Sequence, residues 1–181
     1  MKERYTEQAF EFYIEQILSN KSGWYSGAIK EWDQKNALFP ARVIEFLQTT
    51  QPRTYEKMQK LHGSELNEKL IQTLIKELNL KGILHILRHG FKFYGKTFDM
   101  AYFKPAHGLN PEIIKLYNQN QLTVTRQVPC HPGDGSTIDL LFSINGLPVA
   151  TCEIKNPVTG QNWRHAVKQY KTDRDWRAPL F

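Results

Sequence analysis

The stretch Thr137–Lys155, which reads TIDLLFSINGLPVATCEIK, decides the fold. It contains two runs rich in apolar and β-branched residues, 137–144 and 147–155, on either side of Asn145 and Gly146. An Asn-Gly pair between two such runs is a strong short-range signal of a β-hairpin. We therefore predict two antiparallel strands joined by a tight turn at this point.

Three charged residues lie within the predicted hairpin. Asp139 is on the first strand, and Glu153 and Lys155 are on the second, where residues two positions apart share a face. The simplest interpretation of an isolated E-x-K is a salt bridge on the solvated face of an edge strand. The run 149–152, however, is typical of a central strand, and two carboxylates placed close together repel each other and recruit a cation. The pattern therefore favours a functional site.

Mg²⁺ suits such a pair of carboxylates, because it takes few protein carboxylates, keeps several waters and is completed by substrate phosphate oxygens. We expect Asp139 and Glu153 to bind the ion together with a backbone carbonyl, that of Ile154. The ammonium of Lys155 would position the attacking water and offset developing negative charge. These are the parts of a nuclease site.

The register of the hairpin bears directly on this site. A two-residue turn pairs Asp139 with Cys152 and puts the Asp139 side chain on the face opposite Glu153. A three-residue loop, 144–146, pairs Asp139 with Thr151, on the same face as Glu153. We predict the three-residue loop or an equivalent bulge.

The remaining elements follow from apolar periodicity and from turn signals. Residues 1–90 are expected to form a helical region that packs on or flanks a core formed by residues 91–181. Helices are expected at 6–18 with Thr6 as N-cap, at 41–47 with Gln51-Pro52 as the stop signal, at 64–80, at 83–89, at 111–118 with Asn110 as N-cap, and from 160 past 170. Further strands are expected at 91–94, 98–103 and 122–128.

The composition is that of a globular protein with a basic second half. The chain has 181 residues, of which 40% are hydrophobic, and a net charge of +6. Residues 1–80 hold 11 basic and 11 acidic residues, so the whole excess lies in residues 81–181. We therefore expect any nucleic-acid surface in the second half.

Other classes of site and location find little support in the sequence. Two cysteines, Cys130 and Cys152, are too few for a disulfide framework. His85 and His89 have helical spacing but lack the glutamate of a zinc protease, and Cys130-His131 has no second pair, so zinc is not expected. With no signal peptide and no apolar run near the roughly 20 residues that span a bilayer, we expect a cytoplasmic protein without a membrane partner.

Two stretches around the hairpin carry a resemblance to a known family. Residues 147–157 read LPVATCEIKNP, and residues 161–170 read QNWRHAVKQY. Together with Asp139, they closely resemble the N-terminal nuclease domain of the type I restriction enzyme R subunit, a member of the PD-(D/E)XK superfamily. The resemblance covers the whole chain.

The resemblance implies an α/β, restriction-endonuclease-like fold, a mixed β-sheet flanked by helices, with residues 91–181 as a nuclease core truncated at its C-terminus. It implies Mg²⁺-dependent cleavage of double-stranded DNA, with Asp139 and Glu153 as metal ligands and Lys155 as the catalytic lysine. Methyltransferase and specificity subunits are the implied partners. An ATP-driven translocase is implied further along the polypeptide; since this chain lacks a G-x-x-x-x-G-K-[ST] motif, we expect ATP binding only in a full-length subunit.

The sequence departs from the family pattern at two positions. The proline usual before the first acid is Ile138, a common variation. The family's Q-x-x-x-Y element retains Tyr170 as a supporting residue but has Ala166 in place of the Gln, which leaves open whether Gln169 substitutes for it. Glu11 is one of three glutamates on one face of the first helix, a face that is either solvated or supplies Glu11 as an extra metal ligand.

The last predicted helix carries a basic stripe, formed by Arg164, Lys168 and Lys171. Such a stripe is either a solvated face or, beside a phosphodiester site, a contact to the DNA backbone. For the chain as a whole, the alternative to a nuclease is a catalytically silent domain that docks DNA or the partner subunits of the same complex.

Overall fold

The computed structural model describes residues 6–130, 135–156, 160–174 and 178–181. The chain forms two compact units, each discontinuous in sequence. The first consists of Met1–Leu38, Leu122–Ser143 and Pro148–Phe181, and the second of Phe39–Gln121 and Ile144–Leu147. This division differs from the expected one between residues 90 and 91. The helix at 7–21 packs with the strand at 122–129, and the hairpin at 91–98 packs with the helix at 66–81.

The chain is mixed α/β, as predicted. No helix in the described part of the chain is long and apolar enough to cross a bilayer. The helices are α1 (Glu7–Lys21), α2 (Pro40–Thr50), α3 (Pro52–His62), α4 (Leu66–Lys81), α5 (Ile83–His89), α6 (Pro111–Asn118) and α7 (Trp163–Lys168), the last continued by a π-helical turn (Gln169–Asp173). The strands are β1 (Tyr25–Ser26), β2 (Phe91–Phe93), β3 (Lys96–Phe98), β4 (Leu122–Pro129), β5 (Thr137–Ile144) and β6 (Leu147–Cys152).

The first unit is built on a four-stranded sheet with the order β1-β4-β5-β6. The sheet is mixed, because β1 runs parallel to β4 while β5 and β6 form a hairpin. Val124, Leu140 and Ile154 form its buried apolar cluster, and Ile14 and Leu18 of α1 pack against this cluster. Helix α1 is thereby fixed on the sheet that carries the predicted site.

The acidic face of α1 is turned inward. Thr6 caps the helix as predicted, since its hydroxyl accepts a hydrogen bond from the amide of Ala9 at 3.1 Å. Glu11 and Glu15 are only 1% and 7% exposed, whereas Phe10 is 52% exposed. The interpretation of the glutamates as a solvated face is therefore wrong for Glu11 and Glu15. Apolar periodicity alone did not identify the buried face, because Glu11 and Glu15 are paired with polar side chains of β4, Gln127 and Arg126.

The hairpin turn has two residues, so the predicted three-residue loop is wrong. Strand β5 ends at Ile144 and β6 begins at Leu147. Asn145 and Gly146 have φ values of 53° and 85°, as a type I′ turn requires, and Asn is the non-glycine residue that tolerates this region well. Strand β6 also ends early, at Cys152, so Glu153 and Lys155 follow the strand. The alternation of faces therefore does not extend to them.

The second unit contains α2 to α6 and the β2-β3 hairpin. Helix α3 was not predicted, because Pro52 was interpreted as the end of α2; Pro at a first helical position also begins a helix. Asn110 caps α6 as predicted, since its side chain accepts from the amides of Glu112 and Ile113. The fully buried side chains of this unit form an apolar core that includes Leu47, Leu66, Leu70, Leu74, Ile86, Phe91 and Phe98.

Asn145 is a buried polar anchor of the second unit, with 0% exposure. Its Nδ2 donates to the carbonyl of Met100 and to Oδ1 of Asn120, both at 2.9 Å. Its Oδ1 accepts from the amide of Gln121 at 2.7 Å. All the polar atoms of this side chain are therefore paired.

We predict that Asn145→Ala lowers the free energy of unfolding by about 2–4 kcal/mol, because it leaves the Met100 carbonyl and the Gln121 amide without their buried partner. Urea denaturation of the purified chain measures this change. Asn118→Ala, on the exposed end of α6, is the control and should stay within about 0.5 kcal/mol of wild type. Equal midpoints for the two variants would contradict the prediction.

Candidate active site

Asp139 lies on β5 in the first unit and is half-buried. Its Oδ2 accepts a hydrogen bond from the backbone amide of Ile154 at 2.6 Å. This bond holds the segment that follows β6 against β5 and puts Asp139 beside Glu153, with which it interacts electrostatically. Asp139 therefore lies beside the backbone of the segment that carries Glu153, although the turn is the two-residue one, because this segment lies beyond the regular part of the hairpin.

The side chain of Glu153 is buried, with 1% exposure. Its Oε1 accepts from Nη2 of Arg174 at 2.5 Å. Its Oε2 is buried without a hydrogen-bond partner among the described residues, and Nζ of Lys155 lies 3.7 Å away. Burial raises the pKa of Glu153, opposed by the Arg174 hydrogen bond and reinforced by Asp139.

Arg174 is the buried counter-ion of Glu153, and its side chain is 5% exposed. Nη2 also donates to the carbonyl of Thr137 at 2.7 Å, and Nη1 donates to Sγ of Cys130 at 3.2 Å. The guanidinium therefore links Glu153 to the end of β4 and the beginning of β5. The sequence held no signal for this role, because a single Arg after a helix belongs to no motif.

A second set of contacts surrounds Glu11. Nε2 of Gln127 donates to both carboxylate oxygens of Glu11, at 2.9 and 3.0 Å, and more weakly to Oδ1 of Asp139 at 3.4 Å. Oε1 of Gln127 accepts from the Thr137 hydroxyl at 2.8 Å. Burial raises the pKa of Glu11, and the Gln127 hydrogen bond opposes this. Glu11 thus reaches Asp139 through Gln127, a residue that the sequence did not single out.

The donor set fits a cation that needs few protein ligands. Within the described ranges, no group of three or more His, Cys, Asp or Glu side chains is placed to hold a metal ion. The buried Oε2 of Glu153, which has no hydrogen-bond partner among the described residues and lies 3.7 Å from Nζ of Lys155, is the oxygen that a cation would satisfy. Mg²⁺ fits such an arrangement, because waters and substrate oxygens fill most of its shell. A direct role for Glu11 or for the Ile154 carbonyl stays a prediction.

The supporting residues come from the last helix and its π-helical turn. The hydroxyl of Tyr170 donates to Oγ1 of Thr151 on β6 at 2.8 Å, which fixes this turn to the strand before Glu153. Gln169 contributes its backbone carbonyl, which accepts from the Arg174 amide at 3.1 Å. It stays a prediction that the side chain of Gln169 substitutes for the Gln that the family has at the position of Ala166.

The basic stripe is exposed on the same turn-and-helix segment. Arg164 and Lys168 lie on α7, and Lys171 lies on the π-helical turn; all three are exposed. The Arg164 guanidinium stacks over the ring of Trp163, 5.5 Å from its centroid, and Trp163 is itself 68% exposed. A planar cation beside an exposed aromatic ring is a surface suited to a polyanion.

Comparison with known proteins identifies one family. Residues 3–179 match the family described as the type I restriction enzyme R protein N terminus, which covers nearly the whole chain. No curated protein and no solved structure shows a significant match. The family suggests a nuclease role.

We predict that Arg174→Met destabilises the chain by about 3–5 kcal/mol near neutral pH, because it leaves the Glu153 carboxylate buried without its counter-ion. The pKa of Glu153 should rise further above its unfolded value. Such a group contributes stability below the unfolded pKa and loses that contribution as pH rises through the folded pKa. The deficit relative to wild type should therefore shrink at about pH 4.

Urea denaturation at both pH values, with a metal chelator present, measures this deficit. Glu153→Gln is the matched background, because a neutral amide needs no counter-ion, and Arg174→Met should cost much less there. A deficit that is the same in both backgrounds and at both pH values would exclude the ion pair as its cause.

Proposed function

We propose that this chain, which belongs to the family of type I restriction enzyme R protein N termini, is the Mg²⁺-dependent endonuclease domain of such a subunit. One observation carries the proposal beyond the family: Asp139, Glu153 and Lys155 converge in a mixed α/β unit, with a buried Glu153 oxygen that lacks a hydrogen-bond partner among the described residues. A carboxylate pair with an adjacent ammonium suits metal-assisted phosphodiester hydrolysis.

Each residue has a separate part in the proposed reaction. Asp139 and Glu153, with the Ile154 carbonyl, would hold Mg²⁺, which polarises the phosphate and lowers the pKa of a bound water. Ile154 orients Asp139 through its amide, so that this carboxylate is fixed before the ion binds. Lys155, 15% exposed, is held near Glu153 and would position the attacking water and balance charge on the phosphate. Tyr170 supports β6 through Thr151.

The DNA would be held by backbone contacts. Arg164, Lys168 and Lys171 are exposed on the segment that follows the site in sequence, and the net positive charge lies entirely in this half of the chain. Contacts of Lys and Arg to phosphates are independent of sequence and weaken with salt. Target specificity would therefore come from another subunit, as the family description implies a restriction-modification complex.

The proposed setting is a cytoplasmic complex with methyltransferase and specificity subunits on double-stranded DNA. In this setting an ATP-driven translocase would belong to the same R subunit. Cleavage and translocation are then separable functions of one subunit. A catalytically silent docking domain, the rival hypothesis, would leave cleavage to another part of the complex.

We predict that Asp139→Asn or Lys155→Ala, each in the complete R subunit assembled with its partner subunits, reduces double-strand cleavage at least about 100-fold, because each removes an electrostatic element of the site. ATP-driven translocation should be unchanged. Linear-product formation and triplex displacement measure the two activities. Lys115→Ala, an exposed lysine of α6, is the control. Full cleavage by both site variants would favour the silent docking domain.

We predict that the triple substitution of Arg164, Lys168 and Lys171 by Ala weakens DNA binding equally for unrelated sequences. The slope of log affinity against log salt should become shallower by about 2–3, close to 0.9 per lost phosphate contact. Fluorescence anisotropy over a salt series measures both effects.

The matched control removes three exposed lysines of the second unit, Lys57, Lys60 and Lys76. It changes the net charge equally and should leave the slope unchanged. If both triple variants change the slope alike, the basic stripe has no particular role in DNA binding.

A further inference from the structure

Gln127 has an unusual backbone conformation. It lies within β4 with φ at +52°, in the left-handed region that side chains other than Asn and Gly rarely adopt. Such irregularities in strands re-aim a side chain and are concentrated near functional sites. Such a conformation persists only where the surrounding structure offsets its cost, and the Gln127 side chain makes several contacts.

The carboxamide of Gln127 connects two acids from different elements. Its nitrogen faces Glu11 of α1 at 2.9 and 3.0 Å and Asp139 of β5 at 3.4 Å. Its oxygen faces the Thr137 hydroxyl at 2.8 Å, which fixes the orientation of the amide. One partially positive NH₂ group therefore lies between two carboxylates that would otherwise repel each other.

Asp139 is thereby constrained at both oxygens. Its Oδ2 is bound by the Ile154 amide at 2.6 Å, and Gln127 contacts its Oδ1. Partners of this kind, which orient a metal-binding carboxylate without touching the metal, change metal affinity when they are removed. Gln127 contacts the Asp139 carboxylate in this way, and its own side chain is held by a hydrogen bond from the Thr137 hydroxyl.

We propose that Gln127 is a positioning residue that holds the Asp139 carboxylate, together with Glu11, for divalent cation binding, and that β4 adopts its left-handed residue for this purpose. The proposal rests on the proposed function for the existence of the cation site. It goes beyond the proposed function by assigning Gln127 a role in cation affinity through its contacts with Asp139 and Glu11.

The test is a pair of substitutions with opposite effects on the backbone. Gln127→Gly removes the carboxamide and relieves the left-handed strain, whereas Gln127→Ala removes the carboxamide and keeps the strain. Both variants should bind Mn²⁺ about 10-fold to 100-fold more weakly than wild type. The Gly variant should be more resistant to urea than the Ala variant. A purely structural role predicts reduced stability with unchanged Mn²⁺ affinity.

Mn²⁺ is titrated into the 181-residue chain, and the free ion is measured by electron paramagnetic resonance. Asp139→Asn should remove the same binding step, and Gln72→Ala, an exposed glutamine of α4, should leave it unchanged. In the assembled complex, the Gly variant should need more Mg²⁺ for half-maximal cleavage but reach the wild-type rate at saturation.

The possible failures are distinguishable. If wild type and Asp139→Asn bind Mn²⁺ equally, the proposed cation site is wrong and the role of Gln127 falls with it. If binding depends on Asp139 but both Gln127 variants keep wild-type affinity within about twofold, the role assigned to Gln127 is wrong while the cation site stands.

Discussion

The hydrogen bond from the Ile154 amide to the Asp139 carboxylate is the constraint on which the site depends. Strand β6 ends at Cys152, and no ladder continues through Glu153 and Lys155 in the described structure. The bond replaces the missing ladder: it keeps the segment beside β5 and orients Asp139 at the same time. The two oxygens of Glu153 then have different surroundings: Oε1 is bound to Arg174, and Oε2 lies near Lys155.

Around this bond, the first unit is organised as a set of buried polar partners rather than as an apolar core alone. Glu11 accepts a hydrogen bond from Gln127, and Oε2 of Glu15 lies 2.6 Å from Nε of Arg126, so α1 presents carboxylates to the sheet. Burial of these acids is costly unless each is paired. The pairing couples the position of α1 to the site, because Gln127 contacts both Glu11 and Asp139.

Local signals in the sequence predicted local structure well. Strand β5 and the caps Thr6 and Asn110 were predicted correctly, because each depends on neighbouring residues. The length of the hairpin turn was predicted incorrectly, because Asn145 accepts a left-handed φ without a glycine. Gln127 and Arg174 were not predicted: Gln127 meets Glu11 across 116 positions, and Arg174 meets Glu153 across 21. Partnerships of that range depend on the fold, which periodicity and spacing do not specify.

The central claim is that Asp139 and Glu153 together bind a divalent cation. Anomalous diffraction from crystals of the chain grown with Mn²⁺ tests it most directly. We expect a single strong peak in contact with carboxylate oxygens of both residues, with Arg174 still bound to the other Glu153 oxygen. A peak bound elsewhere, or none at saturating Mn²⁺ with Glu153 paired only to Arg174 and Lys155, would contradict the claim.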